Sequence, residues 1–160
     1  MKVRFAIPDE ASLIYKFIQT KAEFDRGIGA YSGVIETSED KIRKTIFRNN
    51  PFAYVLFAEV EQNTIGFALY GFRYSSFTGQ PNIWLDDLYV EQNMRSKGAG
   101  SLLMSELQQI AYKNNCTHLA WTADARNTRG LKFYYGLGAE VIEQQGDRCF
   151  FQWSLPRINH

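Results

Sequence analysis

The chain has 160 residues, the size of one ordinary domain, so we predict a single domain over residues 1–160. Hydrophobic residues make up 45% and charged residues 22%, which is typical of a globular protein, and charges interrupt every apolar run, so no membrane span is expected. A formal net charge of +1 argues against nucleic acid as the main partner.

The two cysteines, Cys116 and Cys149, have no metal-like spacing, and the N-terminus lacks the apolar segment of a signal peptide. These features predict a cytoplasmic protein with reduced thiols and no bound metal. One disulfide between the two cysteines stays open as an alternative.

The first part of the chain predicts a strand and two helices. Residues 3–7 are a short apolar run, and Asp9 is a candidate N-cap for the helix that follows it. Three glycines in residues 26–33 predict a loop. Thr37 and Asp40 then resemble a capping box that opens the second helix.

The middle of the chain predicts three strands in series, which favours a meander of neighbouring antiparallel strands. The second half alternates between helices and strands, so it requires a parallel pairing somewhere in the sheet. The fold class is therefore α+β, with a mixed, mostly antiparallel, twisted sheet and helices on both of its faces. The predicted strands are 53–60, 64–74, 83–90, 118–122, 139–143 and 148–154, and the later helices are 98–113 and 128–137.

The most informative segment is a strand, a short loop and a helix that opens on glycines, over residues 84–101. Backbone N–H groups at a helix N-terminus, together with the helix dipole, suit a phosphate group. Gly98 and Gly100 allow the backbone to approach it, and Arg95 and Lys97 add positive charge. The residue order matches neither the nucleoside triphosphate loop nor the dinucleotide fingerprint. A glycine-opened helix with an incidental arginine is the alternative interpretation.

Arg95-x-x-Gly98-x-Gly100 after an apolar strand resembles the pyrophosphate-binding motif of the GNAT family of N-acetyltransferases. The resemblance covers nearly all of the chain. It implies the acyl-CoA N-acyltransferase fold, acetyl-CoA as co-substrate, and a β-bulge in the strand before the motif, which leaves backbone groups available. The implied pantetheine contacts are Leu88, Tyr89 and Val90, and the implied pyrophosphate contacts are Arg95, Ser96, Lys97, Gly98, Ala99, Gly100 and Ser101.

A second segment, with Asn127, Tyr134 and Gly138-Ala139, resembles the family's Asn…Phe-Tyr…Gly-Ala pattern. The resemblance implies that Asn127 and Gly130 contact the cofactor and that Tyr134 is the general acid for the departing thiolate. A tyrosine suits this role because it is protonated at neutral pH. The alternative is that Tyr134 is an amphipathic core residue beside Tyr135.

Within the family, the chain resembles most the diamine (spermidine/spermine-type) acetyltransferases, whose strand reads Leu-Glu-Asp-Phe-Phe-Val. The equivalent segment here is residues 85–90, so the resemblance implies that Asp86 contacts the amine and accepts its proton, directly or through water. A satisfied structural carboxylate is the alternative. Phe24 and Asp25 match an aromatic–acid pair that lines the amine site in those enzymes. A further acid of those enzymes falls near Gln145 or Gly146, so a smaller amine, a lysine-like amine or a drug-like amine fits as well as a polyamine.

The sequence thus predicts an enzyme that moves an acetyl group from acetyl-CoA to a primary amine of a small molecule by direct attack. Two alternatives stay open: acetylation of a protein or peptide, and a non-catalytic sensor that binds acyl-CoA. The aromatic run at residues 149–153 predicts either a homodimer interface or a core strand.

Overall fold

The computed structural model of the chain describes residues 1–155. Within that range seven strands form one sheet, and four α-helices pack against it. The elements are β1 (Lys2–Phe5), α1 (Ala11–Gly27), α2 (Glu39–Ile46), β2 (Tyr54–Val60), β3 (Asn63–Ser75), β4 (Gln80–Val90), α3 (Ala99–Lys113), β5 (His118–Asp124), α4 (Thr128–Leu137), β6 (Glu140–Gln145) and β7 (Arg148–Ser154).

The strand order is β1-β2-β3-β4-β5-β7-β6, and every neighbouring pair is antiparallel except β4 and β5. This parallel pair is short, because it holds only the residue pairs Ile83–Leu119 and Trp84–Ala120. Beyond Trp84 and Ala120 the two strands continue without pairing to each other, so the sheet opens there in a V. The predicted mixed, mostly antiparallel sheet is confirmed.

Helices cover both faces of the sheet, as predicted. On one face α1 and α2 bury Phe17 and Ile42 against Phe57 and Phe67. On the other face α3 packs its apolar stripe against the same strands, with Leu103 fully buried. Each such side chain contributes about 1.5–3 kcal/mol of burial free energy, so the two cores hold β1–β4 as a rigid platform beside the opening.

The expected bulge is present in β4. Leu85 pairs with Tyr70 and Asp87 pairs with Leu69, which leaves Asp86 as the extra residue between them. A bulge bends its strand and locally interrupts the ladder of backbone hydrogen bonds. It lies just beyond the point where β4 parts from β5.

Several predicted boundaries differ from those of the structure, and three of the differences have a local cause. Asp9 lies in a 3-10 turn, and α1 begins only at Ala11. Ser38, not Thr37, caps α2, because its hydroxyl accepts a hydrogen bond from the backbone N–H three residues later at 3.1 Å. β4 begins at Gln80, three residues earlier than predicted, because it continues the hairpin with β3 to the turn.

The aromatic run at residues 149–153 forms β7, which pairs with β5 on one side and β6 on the other. Phe151 and Cys149 lie in the core, which favours the core-strand interpretation of this run. Cys116 and Cys149 are both buried and free, so no disulfide joins them. Among the helices of residues 1–155, none is both long and apolar enough to cross a membrane.

Candidate active site

A cleft with a volume of about 900 Å³ opens where β4 and β5 diverge. We call it the central cleft. Its wall is formed by the second half of β4, the loop to α3, the end of β5, and parts of α1 and α4. Most of the residues predicted from sequence line it; among them are Phe24, Asp25, Asp86, Leu88, Tyr89, Val90, Arg95, Ser96, Gly98, Ala99, Gly100, Ser101, Asn127, Gly130 and Tyr134.

One end of the cleft, which we call the phosphate end, is the N-terminus of α3. Gly98 precedes the helix with a left-handed φ of 93°, a conformation that a side chain disfavours. The first bond of the helix runs from the N–H of Leu102 to the carbonyl of Gly98 at 2.9 Å. The backbone N–H groups before it have no partner within the helix, and together with the helix dipole they suit an anion.

Gly100 also has a packing role, besides the close approach to phosphate that the sequence predicts. A Cβ at this position would lie 3.1 Å from the ring of Phe133, so the missing side chain lets α3 pack closely on α4. Gly130 is constrained in a similar way, because a Cβ there would lie 2.4 Å from the amide of Asn127. Asn127 caps α4 by accepting a hydrogen bond from the Gly130 N–H at 3.0 Å.

Arg129 extends the phosphate end, although the sequence analysis did not identify it. Its guanidinium donates a hydrogen bond to the Ser96 hydroxyl at 2.7 Å, which brings the start of α4 to the loop before α3. Lys132 lines the same cleft, whereas the predicted Lys97 is exposed and lies outside the lining. The contact between Arg129 and Ser96 spans 33 residues, so only the fold reveals it.

Arg95 connects the two ends of the cleft. Its Nε donates to the carbonyl of Val90 at 2.9 Å. Its guanidinium lies 5.0 Å from the ring centre of Phe24 and 5.3 Å from that of Tyr89. These cation–π contacts fix the end of α1 against β4 and leave Arg95 in the cleft wall.

Tyr134 lies deeper in the cleft, with its ring centre 5.1 Å from that of Trp121. Burial raises the pKa of its hydroxyl to about 12, although the positive charge of Lys21 opposes that shift. The phenol therefore stays protonated at neutral pH and is able to donate a hydrogen bond or a proton.

Lys21 of α1 occupies the other end of the cleft, which we call the amine end. Its ammonium lies 2.8 Å from a carboxylate oxygen of Asp25 and 3.5 Å from one of Asp87. Burial lowers the pKa of Lys21, but Asp87 and Asp25 outweigh this effect, so the pKa is raised overall. Burial raises the pKa of Asp87 to about 6, and the Lys21 charge only partly counteracts it. The cluster of Lys21, Asp25 and Asp87 holds two carboxylates and one ammonium, so its net charge at neutral pH is negative.

The neighbouring acids Asp86 and Asp87 lie in different surroundings. Asp86, the bulge residue, is exposed and lines the cleft. Asp87 is largely buried, with its side chain 19% exposed, and contacts Lys21 on the α1 side. The sequence analysis identified Asp25 and Asp86 but missed Lys21 and Asp87. The spacing of Lys21 and Asp25, four residues apart on one helix, was a local signal for Lys21 alone.

Within residues 1–155, no group of three or more histidine, cysteine, aspartate or glutamate side chains is arranged to hold a metal ion.

Residues 20–139 match the model of the acetyltransferase (GNAT) family. The chain belongs to the GNAT family. This GNAT is therefore an acetyl-transferring enzyme, and the match covers three of its four helices and most of the central cleft.

Individual relatives of this GNAT support the same assignment. It is 29% identical over 157 residues to a thialysine N-epsilon-acetyltransferase of Bos taurus, covering 92% of this chain and 89% of the relative. It is 32% identical over 131 residues to a human spermidine/spermine N(1)-acetyltransferase-like protein 1, covering 77% of this chain and 18% of that protein. The PaiA N-acetyltransferase of Thermoplasma acidophilum, solved in complex with coenzyme A, has the same fold with a TM-score of 0.78, 19% identity, and coverage of 97% and 100%.

Proposed function

We propose that this GNAT transfers the acetyl group of acetyl-CoA to a primary amine of a small molecule by direct attack of the amine on the thioester. The observation that carries the proposal is the central cleft, which joins an anion-binding helix N-terminus to a carboxylate-lined end and holds a protonated tyrosine in its wall. The solved complex of a structural neighbour with coenzyme A supports the choice of acetyl-CoA.

The phosphate end is the proposed site of the coenzyme A pyrophosphate. The backbone N–H groups at Gly98, Ala99, Gly100 and Ser101 donate to it, and Arg95 and Arg129 contribute positive charge. The pantetheine arm follows β4, where Leu88, Tyr89 and Val90 have no strand partner on the β5 side. The carbonyl of Val90 already accepts a hydrogen bond from Arg95. The pantetheine arm therefore forms its hydrogen bonds mainly with the other backbone groups of this part of β4.

The amine end attracts and deprotonates the acceptor in this proposal. The carboxylates of Asp25 and Asp86 line the cleft and favour an ammonium group, and Asp87 adds negative charge behind Lys21. Asp86 accepts the proton of the amine directly or through a water molecule. The amine nitrogen then bonds to the thioester carbon while backbone N–H groups near the bulge stabilise the carbonyl oxygen. As the carbon–sulfur bond breaks, Tyr134 gives its proton to the sulfur, and the proton that the nitrogen loses as the amide forms restores the phenol, directly or through water.

The proposed acceptor is a primary amine at the end of a flexible alkyl chain, either a diamine or polyamine or a lysine-like amine. Relatives named for thialysine, spermidine/spermine and L-ornithine support this class. The loop after α1 also favours a small molecule over an extended peptide. A Cβ at Gly29 in that loop would lie 3.0 Å from the guanidinium of Arg126, so the loop meets the segment that follows β5 at one side of the cleft.

We also propose a cytoplasmic location, which the two buried, unpaired thiols Cys116 and Cys149 support. The homodimer stays a prediction, and light scattering after size-exclusion chromatography measures it directly.

The proposed function is tested by measuring thiol release from acetyl-CoA with a panel of amines. The panel contains spermidine, short diamines, lysine, ornithine, thialysine, an aminoglycoside and a basic peptide. We expect release with the alkyl amines and a matching mass increase of the acceptor. Acetyl-CoA binding without release from any acceptor would favour the non-catalytic sensor, and release with the peptide alone would favour a protein acetyltransferase.

A further inference from the structure

Trp121 carries a buried hydrogen-bond donor that nothing in the described part of the chain satisfies. Its side chain is 2% exposed, and its indole nitrogen is shielded from solvent. Among residues 1–155, no atom accepts a hydrogen bond from that nitrogen, and it is the sole buried side-chain N or O atom of that range in this condition. An unpaired buried donor lowers the stability of the folded protein, so its presence calls for a physical reason.

The position of Trp121, beside the opening between β4 and β5, offers a reason for its unpaired N–H. β4 and β5 last pair at Trp84 and Ala120, so Trp121 is the first residue of β5 beyond the apex of the V. Its side chain lines the central cleft and lies against Tyr134. At about 3.3 Å per residue, the apex is roughly 20 Å along β4 from Val90, where the phosphate end begins.

Packing alone does not require an indole at this position. Trp121 stacks on Phe151, with ring centres 5.9 Å apart and an interplanar angle of 12°. A phenylalanine offers a similar flat apolar surface for that contact without an unpaired N–H. The indole thus keeps an unpaired donor in a residue that lines the cleft, at a cost in the stability of the free protein.

We propose that the indole N–H of Trp121 donates a hydrogen bond to the carbonyl oxygen of the acyl group on bound acyl-CoA. This inference rests on the proposed function, because it takes acyl-CoA as the ligand of the cleft. With the phosphates held at the N-terminus of α3, the acyl group at the far end of the pantetheine arm lies toward the apex. A small movement of the ring brings the shielded nitrogen into contact with it.

This donor acts together with the backbone N–H groups near the bulge. As the amine nitrogen bonds to the thioester carbon, the carbonyl π electrons move onto oxygen, and a fixed donor stabilises the charge that develops there. The carbonyl re-forms as the carbon–sulfur bond breaks, and the sulfur takes the proton of Tyr134. Trp121 keeps its own proton throughout, so it is a catalytic donor and not an acid.

The test compares Trp121→Phe with the matched control Trp153→Phe. Trp153 lies on β7, and its ring centre is 6.5 Å from that of Trp121. For Trp121→Phe we expect the Kd of acetyl-CoA to rise roughly two- to tenfold and kcat to fall about tenfold or more. The Kd of CoA, which lacks the acyl carbonyl, stays within about twofold because the phosphate end is unchanged. The Tm of the free protein is unchanged or higher because the variant removes an unpaired donor.

Three outcomes overturn the inference: equal weakening of CoA and acetyl-CoA binding, unchanged acetyl-CoA binding and turnover, or a lower Tm that accounts for the loss. The binding comparison needs no acceptor amine, so it decides the role of Trp121 even if no tested amine is acetylated. If the unmodified chain binds neither CoA nor acetyl-CoA, the proposed function fails and this inference fails with it.

Discussion

The two ends of the central cleft are built by different means. At the phosphate end the backbone itself forms the site, with Gly98 in a left-handed conformation and free N–H groups at the start of α3. At the amine end side chains form the site. Lys21 of α1 lies between Asp25, on the same helix, and Asp87 of β4. A site made of backbone groups from one segment can be read from a short motif, whereas a site made of distant side chains depends on the whole fold.

This difference has a chemical consequence. Every molecule of coenzyme A carries the same pyrophosphate, so a fixed backbone cradle suits the phosphate end. The acceptor amine differs between enzymes of one family, and exchangeable side chains on α1, β4 and the loop after α1 can adapt to it. Substitutions at the phosphate end should therefore change acetyl-CoA binding, and those at the amine end should change how the amine reacts.

The largest effect is expected for Tyr134→Phe, which removes the hydroxyl between the two ends. Loss of a general acid typically lowers kcat by about 10²- to 10³-fold or more, while the Kd of acetyl-CoA stays nearly unchanged. Steady-state kinetics and calorimetry measure both. Tyr135→Phe is the control, because Tyr135 is 54% exposed and lies outside the cleft lining, and it should have no effect. Unchanged turnover in Tyr134→Phe would remove this residue from the mechanism.

Gly98→Asp tests the phosphate end. A carboxylate beside the pyrophosphate should weaken acetyl-CoA binding about 100-fold through charge repulsion, measured by calorimetry. Gly138→Asp is the matched control, because Gly138 ends α4 with a similar φ of 95° but lies outside the cleft. Both variants should lose roughly 1–2 kcal/mol of stability from backbone strain. Equal acetyl-CoA affinity in the two variants would place the pyrophosphate elsewhere.

Asp87→Asn tests the electrostatics of the amine end. The pKa of Asp87 is about 6 in the folded protein, above the ordinary value of about 3.9, so the folded state binds this proton more tightly than the unfolded state. Its contribution to stability therefore falls by about 2 kcal/mol as the pH rises from about 4 to about 6.

Asn does not titrate, so the variant lacks this fall, and its stability relative to the unmodified chain should improve over that pH range. Urea unfolding at several pH values measures the difference. A difference that stays constant, or that changes in the opposite direction, would show that Lys21 outweighs burial in setting the ionisation of Asp87.

The smallest effect is expected for Asp86→Asn. If Asp86 accepts the proton of the amine through water, kcat/KM for the amine should fall about tenfold, below the usual 10²-fold for a directly bonded base. The Kd of acetyl-CoA should not change. Asp86→Glu keeps the carboxylate and should retain most of the activity, which kinetics at fixed pH can check. A loss that is equal in the Asn and Glu variants would assign Asp86 a structural role in the bulge.

The sequence predicted the order of the elements well because each depends on local patterns of apolar residues and caps. The helix start at the phosphate end was equally predictable, since Gly98 and its neighbours lie within one short segment. Lys21 and Asp87 were missed because they lie 66 positions apart and meet only when α1 packs on β4. The unpaired donor of Trp121 was also beyond prediction, because satisfaction of a buried N–H depends on the complete three-dimensional surroundings.

The most direct test of the account is a crystal structure of the chain with coenzyme A. We predict that the pyrophosphate accepts hydrogen bonds from the backbone N–H groups of residues 98–101. We also predict that the sulfur lies within hydrogen-bonding distance of the Tyr134 hydroxyl, with the arm between β4 and β5. A coenzyme bound outside the central cleft, or a sulfur directed away from Tyr134, would contradict the account.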